Sequence, residues 1–346
     1  MRASTERKIT TMHAPDHPSS NPCSITDIPK LWTLARASIY PALRSRYTTT
    51  TLQIDSRNGG TPLAPMVQRP WVDDLIMVLL YDFGPHMSYV PEALADNWDT
   101  SPEEMWGYAL HNLKTLPRPL WEAVGGGVFR VVSEVAYEET FLLLNEVRSR
   151  LRFDGHALFA IPNRRVLLAA DRRDAAAVKA LIAEARRQLQ HAPWPLSGAL
   201  LEHTRQGWRR CDLSGELAAA AHCLETISLS YSYRDQKSAL DKLYERAGTG
   251  LFVATFALRE SGKDPDRVRS FCVLTEGVDS LLPKTDHLIF NRGSGGLHPL
   301  RLAVPWQTFE HVCARYLEST TEEPLRIRVR QFPDAEEWAA LESATG

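Results

Sequence analysis

The side chains able to do chemistry are thinly spread along this 346-residue chain, and each has a structural explanation beside a functional one. Asp82 closes a continuous apolar run, Leu75 to Tyr81. It therefore stands beyond the end of a strand, where open sheets collect ligands, with turn capping as the plainer role. Asp286 follows Leu-Pro-Lys-Thr and reads in the same two ways. Arg326, Arg328 and Arg330 alternate with Leu325, Ile327 and Val329. On a strand such positions share a face about 7 Å apart, so three guanidiniums would form a ladder suited to phosphates or to an acidic protein partner. A solvated, ion-paired surface is the alternative. Arg292 lies in the loop Asn291 to Gly296, where backbone N–H groups and one guanidinium suit an anion, and a hairpin turn with one exposed Arg suits the same residues.

The familiar catalytic patterns do not assemble. No GxxxxGK[ST] phosphate loop occurs, and Gly248-Thr249-Gly250 has Val253 where a dinucleotide fingerprint needs its third glycine. Ser294 lies in Gly-Ser-Gly, without the GxSxG elbow. His222 and Cys223 are neighbours and point in different directions, and Cys223, Cys272 and Cys313 read as core. Asp73 and Asp74 precede a strand whose alternation sends them to opposite faces, so they cannot share a proton or a metal without a bend. Pro15 separates His13 from His17 and removes the helix that their spacing requires of a metal pair. No cofactor and no metal are expected.

Forty Lys and Arg against 42 Asp and Glu leave a formal charge of −2, which argues against a global nucleic-acid-binding surface. The sum hides blocks of +5 over residues 1–70, −8 over 71–150, +5 over 151–215 and −4 over 216–346. Apolar residues at 44% supply a core. The longest apolar run falls far short of the roughly 20 residues of a membrane span. Five cysteines without a CxxC pair read as reduced thiols in the cytoplasm.

The elements that must position these residues read as an α+β or mixed α/β fold in two units, 31–215 and 216–346, after a disordered lead-in over 1–30. Asp74 to Tyr81 is a buried strand and His86 to Val90 its short partner. Ser101-Pro102-Glu103-Glu104 announces a helix through a capping box, with Met105, Trp106, Ala109 and Leu113 inward. After Gly125-Gly126-Gly127, Val128 to Val135 is a strand, and Phe141, Leu144, Val147 and Leu151 recur at helical spacing. Ala157 to Ile161 and Arg165 to Ala170 are strands about a Pro162-Asn163-Arg164 turn. Asp174 caps a helix carrying Val178, Leu181, Ile182, Ala185 and Leu189. Pro193 and Pro195 mark an extended crossing that continues to about residue 215.

The second unit opens with a strand at Thr226 to Tyr233 and a helix at Asp235 to Ala247. Strands follow at Leu251–Leu258, Arg269–Thr275, Asp286–Phe290 and Leu300–Val304, then a helix after Pro305, the Leu325–Arg330 strand, and a last helix with an Asp334/Glu337 capping box.

The phrase Asp74-Leu75-Ile76-Met77-Val78-Leu79-Leu80-Tyr81-Asp82, then Tyr89-Val90 and the helix ending Ala109-Leu110-His111-Asn112-Leu113, resembles the opening of the YtpQ-like domain of unknown function (family 1444) of bacteria. Phe159-Ala160-Ile161-Pro162-Asn163-Arg164 and Pro195-Leu196-Ser197 are similar to later phrases of that family. Arg164-Arg165 departs from the Arg-Asp expected after Pro-Asn, so no role for that acid carries over. The resemblance covers roughly residues 30 to 210 and implies bacterial origin, a cytoplasmic α/β domain and no established activity. Val278 to Asp286 has the look of an accessory or immunity-type protein.

The expectation is a non-enzymatic accessory or regulatory protein that binds a protein partner. The alternatives are a hydrolase or nucleotide-handling enzyme, with Asp82, Asp286 and the arginine face converging at the junction of the units, and a nucleic-acid-associated protein using the Arg strand. Nucleic acid is the less favoured partner, and a membrane is not expected.

Overall fold

The computed structural model describes residues 27–60, 63–154, 156–191, 193–261, 264–293 and 300–344. Residues 1–26 of the expected lead-in, with His13, His17 and Cys23, lie outside them, as does the 294–296 part of the expected anion loop.

The chain begins with a short helix α1 (Trp32–Ala35), strand β1 (Ile39–Ser45) and helix α2 (Arg46–Asn58). Then come β2 (Gln68–Val72), β3 (Leu75–Asp82) and β4 (Met87–Tyr89). These strands form an antiparallel sheet in the order β1-β3-β2, with β4 also on β3. Leu75 to Leu80 are all buried, as a strand covered on both faces requires. After α3 (Glu92–Ala95), helix α4 (Pro102–Thr115) starts as its sequence predicts: the Ser101 Oγ accepts from the Glu104 N–H at 3.1 Å. Glu104 does not complete the reciprocal box; its carboxylate accepts from Trp32 Nε1 instead, at 3.4 Å.

The second sheet is six-stranded and antiparallel, in the order β10-β9-β7-β8-β6-β5. It comprises β5 (Leu120–Gly125), β6 (Val128–Val132), β7 (Ala157–Asn163), β8 (Val166–Asp171), β9 (Leu200–Thr204) and β10 (Gly207–Arg210). The three glycines 125–127 turn β5 into β6 with φ of 102°, 59° and 77°. A Cβ on Gly127 would lie 2.7 Å from the Ala177 Cβ, so the turn needs glycine for contact as well as for conformation. The β7–β8 turn falls one step later than expected. Asn163 ends β7, and Arg165 takes the positive φ, 65°.

The expected helix around Phe141 to Leu151 is broken into a 3-10 turn, Thr140–Leu143, and α5 (Asn145–Arg148). Phe141, Leu144 and Val147 are buried all the same. Helix α6 (Ala175–His191) is capped by Asp174, whose Oδ1 accepts from the N–H groups of Ala176 and Ala177.

The main correction concerns Thr226 to Tyr233, which is not a strand. It lies inside α7 (Gly215–Ala247), a helix of 33 residues. Its β-branched and aromatic content suggested a strand, but strong helix formers flank it on both sides. Propagating a helix through eight indifferent residues costs less than creating two new ends. Ala220, Cys223, Leu224 and Ile227 are buried at helical spacing. The chain then adds β11 (Phe252–Val253), β12 (Ala257–Ser261), β13 (Asp264–Thr275), β14 (Ser280–Pro283), β15 (His287–Arg292), β16 (Leu300–Pro305), α8 (Trp306–Val312), β17 (Leu317–Ser319), β18 (Arg326–Val329) and α9 (Ala335–Ser343). They build two four-stranded sheets, β11-β14-β18-β17 and β12-β13-β15-β16, with parallel pairs β11/β14 and β13/β15. The Asp334/Glu337 capping box is formed in full.

The result is an α+β fold. One apolar cluster joins the first two sheets through Leu43, Met77 and Leu79 on one side and Phe159, Ile161 and Leu167 on the other. A second lies on the far face of the six-stranded sheet, against Val178 and Leu181 of α6 and Leu224 and Ile227 of α7. A third fills the C-terminal sheets around Leu288, Phe290, Phe309 and Trp338. The expected division at 215/216 falls at the start of α7, whose first turns belong to the second cluster.

Candidate functional site

The arginine strand is the first test of the expected sites, and its ladder does not exist as a free face. Arg326 is fully buried. Its Nε donates to Gln236 Oε1 at 2.7 Å, its Nη1 to the carbonyls of Ala254 (2.8 Å) and Leu281 (3.2 Å), and its Nη2 to that of Tyr233 (3.2 Å). The guanidinium carbon also sits 5.1 Å from the centre of the Tyr233 ring. Arg328 is held by Asp279 through two bonds of 3.0 and 2.6 Å, and Arg330 lies 3.1 Å from Glu318. Strand alternation separates two faces but does not say which is covered. Here α7 covers the arginine face at position 326, while the other face is buried at Ile327 and Val329 and partly exposed at Leu325.

The aspartates are committed locally. The Asp82 Oδ1 accepts from the Gly84 N–H at 2.7 Å, the turn-capping role, and its Oδ2 accepts from the Tyr137 hydroxyl at 2.9 Å. Burial, with Asp82 beside it, raises the Tyr137 phenol. Asp286 accepts from the Ser270 N–H (2.7 Å) and hydroxyl (3.0 Å), and lies 3.6 Å from His222 Nε2. Burial would raise its carboxyl, but bonds from His222 and Ser270 outweigh it and hold the group at about 2. The same bond raises His222. The order is therefore Ser–Asp–His. In a Ser–His–Asp triad the imidazole stands between the hydroxyl and the acid, so these three residues do not form that triad. Asp74 is perturbed in the opposite direction: burial lifts it to about 7, against a 2.6 Å bond from the Ser197 hydroxyl.

These groups do not converge. His222 and the Arg326 contacts at Tyr233 and Gln236 share α7 but lie 11 and 14 residues apart, about 16–21 Å along a helix. Asp82 serves the first sheet and Tyr137. Arg292 lies 3.5 Å from Glu276 and 5.2 Å over the Trp338 ring. Among the described residues no group of three or more His, Cys, Asp or Glu is placed to hold a metal, and no helix is long and apolar enough to cross a membrane.

A different place gathers binding features, and sequence reasoning did not find it. Strand β5 ends the six-stranded sheet, and its outer edge pairs with no strand among the described residues. Ten large apolar side chains among the described residues are substantially exposed, and three of them, Leu120 (62%), Val124 (47%) and Val132 (41%), lie on the β5–β6 hairpin. Leu120 and Val132 are cross-strand partners and so share a face. The strand is firmly seated. Trp121 Nε1 donates to the Val147 carbonyl at 2.9 Å, and Arg150 Nη1 donates to the Pro119 carbonyl at 2.8 Å.

Where β5 begins, Pro119 also lines a shallow cleft of about 340 Å³ floored by Leu113, Leu116, Phe141, Leu144 and Val147. Lys114, Arg118 and Arg150 border it against a single acid, Glu146. Arg118 is exposed and has no ion pair among the described residues. The sequence signals were the glycine turn and the Arg118-Pro119 approach to Leu120-Trp121. A strand before the glycines was missed because Glu122 and Ala123 interrupt its apolar pattern.

No family model, no curated protein and no solved structure matches this chain.

Proposed function

We propose that this chain is a non-catalytic accessory or regulatory protein that binds a partner protein, taking an extended, acidic and apolar segment as an added strand on β5. The reading rests on one observation: an open sheet edge with exposed apolar side chains runs directly into a cleft with an apolar floor and a basic border. An open edge offers main-chain hydrogen bonds, alternate side chains give specificity, and three cations against one acid favour a carboxylate-bearing occupant. Covering Leu120, Val124 and Val132 contributes about 1–2 kcal/mol each, because each is already partly covered. After the cost of ordering a flexible segment, micromolar affinity is expected. The free, buried Cys211, Cys272 and Cys313 support action in the cytoplasm. The resemblance of residues 30 to 210 to the YtpQ-like domain, with the bacterial origin it implies, belongs to the same proposal.

The test is selection of binders from a random 12-residue peptide library on the full chain. Selected peptides should alternate apolar residues and be enriched in Asp or Glu. Arg118→Glu and Leu120→Glu, both at exposed positions, should each weaken them tenfold or more while leaving the melting temperature unchanged. Peptides without acidic enrichment, or equal binding to Leu120→Glu, would overturn the proposal. So would concentration-dependent self-association abolished by Leu120→Glu, since the edge would then serve a second copy of the chain.

A further inference from the structure

The sheet β12-β13-β15-β16 has one covered face and one open face. On the covered face Cys272, Leu288, Phe290 and Val304 fill the C-terminal core, and Val268 packs in the second cluster with Leu224 and Ile227 of α7. Alternation sends the intervening residues to the other side. There the register sets Arg259 beside Arg269 at one end and Arg301 at the other. Between them Phe271 stands next to His287, and Val273 next to Ile289. Phe271, Val273 and Ile289 join none of the apolar clusters, and Val273 is 36% exposed.

The charge on this face has one sign. Arg259, Arg269 and Arg301 are exposed and have no ion pair among the described residues, and no described Asp or Glu shares the face with them. Charged residues protect exposed sheet edges, which accounts for Arg259 on β12 and Arg301 on β16. It does not account for Arg269, on an inner strand directly opposite Arg259, where like charges repel unless an anion joins them.

The occupant must therefore be anionic and must also cover flat, apolar surface. A second copy of the chain would bring the same three cations to the interface. An acidic peptide would answer the arginines alone. Single-stranded nucleic acid answers both, since phosphates pair with guanidiniums and every base has a π-face to lay on a ring. Arg301 lies in the row of Thr275, six residues from Arg269 along β13 and two strands across. That diagonal of about 22 Å suits a site of about four nucleotides, the short end of the range for single-strand sites on sheets.

We infer that the open face of this sheet binds single-stranded nucleic acid, with Phe271 and His287 as stacking surfaces for bases and Arg259, Arg269 and Arg301 as contacts for phosphates. Strand β18, where the sequence suggested arginines for that purpose, belongs to another sheet, and so does the β5 edge, so the inference does not depend on the proposed partner binding.

The experiment is fluorescence anisotropy of a labelled 12-nucleotide single strand of mixed sequence, as RNA and as DNA, titrated with the full chain between 50 and 200 mM salt. The matching duplex and a 12-residue polyglutamate peptide serve as comparisons. Saturable binding of at least one strand is expected, and the tighter one names the sugar. Three phosphate contacts give a slope of about −2 in log affinity against log salt, so binding should weaken roughly twentyfold across that range. Arg269→Gln should reduce the slope by about 0.7. Phe271→Leu keeps apolar surface but removes the ring, and should weaken binding about fivefold or more. Arg246→Gln removes an equal charge from the exposed last turn of α7 and should stay within twofold of wild type. All three side chains reach solvent, so the variants are expected to fold. Absence of saturable binding of either strand at 50 mM salt overturns the inference, as does equal affinity in Phe271→Leu or a duplex bound as tightly as the strands. Binding of polyglutamate in their place also overturns it and would make the face a dock for an acidic protein segment.

Discussion

Replacing Arg326, Arg328 and Arg330 one at a time by methionine separates positions that the sequence presents as equivalent. Arg326 is fully buried and supplies four hydrogen bonds. Its loss does not orphan four acceptors. The Leu281 carbonyl keeps the Ala254 N–H at 2.9 Å, and the Tyr233 carbonyl stays within α7. Gln236 Oε1 and the Ala254 carbonyl lose their charged donor, at about 1–3 kcal/mol each. Part of this is returned, because the variant no longer desolvates a guanidinium. The net expectation is a loss of about 2–4 kcal/mol for Arg326→Met. Arg328 and Arg330 are partly solvated pairs, with side-chain exposures of 31% and 54%. Each is expected to cost under about 1 kcal/mol. Equilibrium urea unfolding at pH 7, followed by tryptophan fluorescence and far-UV circular dichroism, gives the three differences. Equal effects at the three positions, or Arg326→Met within about 1 kcal/mol of wild type, would refute the reasoning.

Two pH-dependent outcomes follow from perturbed groups. Asp286 is held at about 2 in the fold, below its ordinary 3.8, so its contribution is present above the ordinary value and is lost as pH falls toward 2. His222 is raised above 6.5, so its contribution is full below that value and is lost as pH rises through the folded pKa. NMR titration should show the His222 pKa falling in Asp286→Asn; an unchanged value would remove the pairing. Asp74 has the opposite sign for an acid: burial raises it to about 7, so the fold favours the protonated form and stability declines as pH rises from about 4 to 7. Asp74→Asn keeps a partner for the Ser197 hydroxyl and should match wild type at pH 4 while melting higher at pH 8, by at least about 1 kcal/mol. A difference independent of pH would count against it.

Local signals with one physical meaning were readable in the sequence. Asp334 with Glu337, Asp174 before Ala175, and the run from Leu75 each specify a cap or a strand without reference to distant residues. What failed required knowledge of neighbours. Arg326 reads as surface because burying a guanidinium needs carbonyls from Ala254 just after β11, from β14 and from α7, which lie 45 to 93 residues away. Thr226 to Tyr233 reads as a strand because its helical preference comes from its flanks. Among the expected site residues, Asp82 ends its strand as the sequence places it and Asp286 stands one residue before β15, but their partners Tyr137 and His222 arrive by tertiary packing. Sequence and structure also part at β5, where Glu122 and Ala123 hide the strand and only the sheet order shows that Leu120 and Val124 lie at an edge.

Helix α7, about 50 Å long at 33 residues, gives the molecule a shared beam. Its first turns close the second apolar cluster through Leu224 and Ile227. Its later turns pack Ala239 and Leu240 against Ile54 of α2 and against Val253 and Leu281, and its Ala239 carbonyl accepts from Asn58 Nδ2 at 2.9 Å. A fragment ending at residue 215 would therefore be a six-stranded sheet with one wall removed and α2 left without its neighbour. The unit that can be expressed or exchanged intact is set by that beam, and the order in which the strands occur along the chain is a poor guide to it.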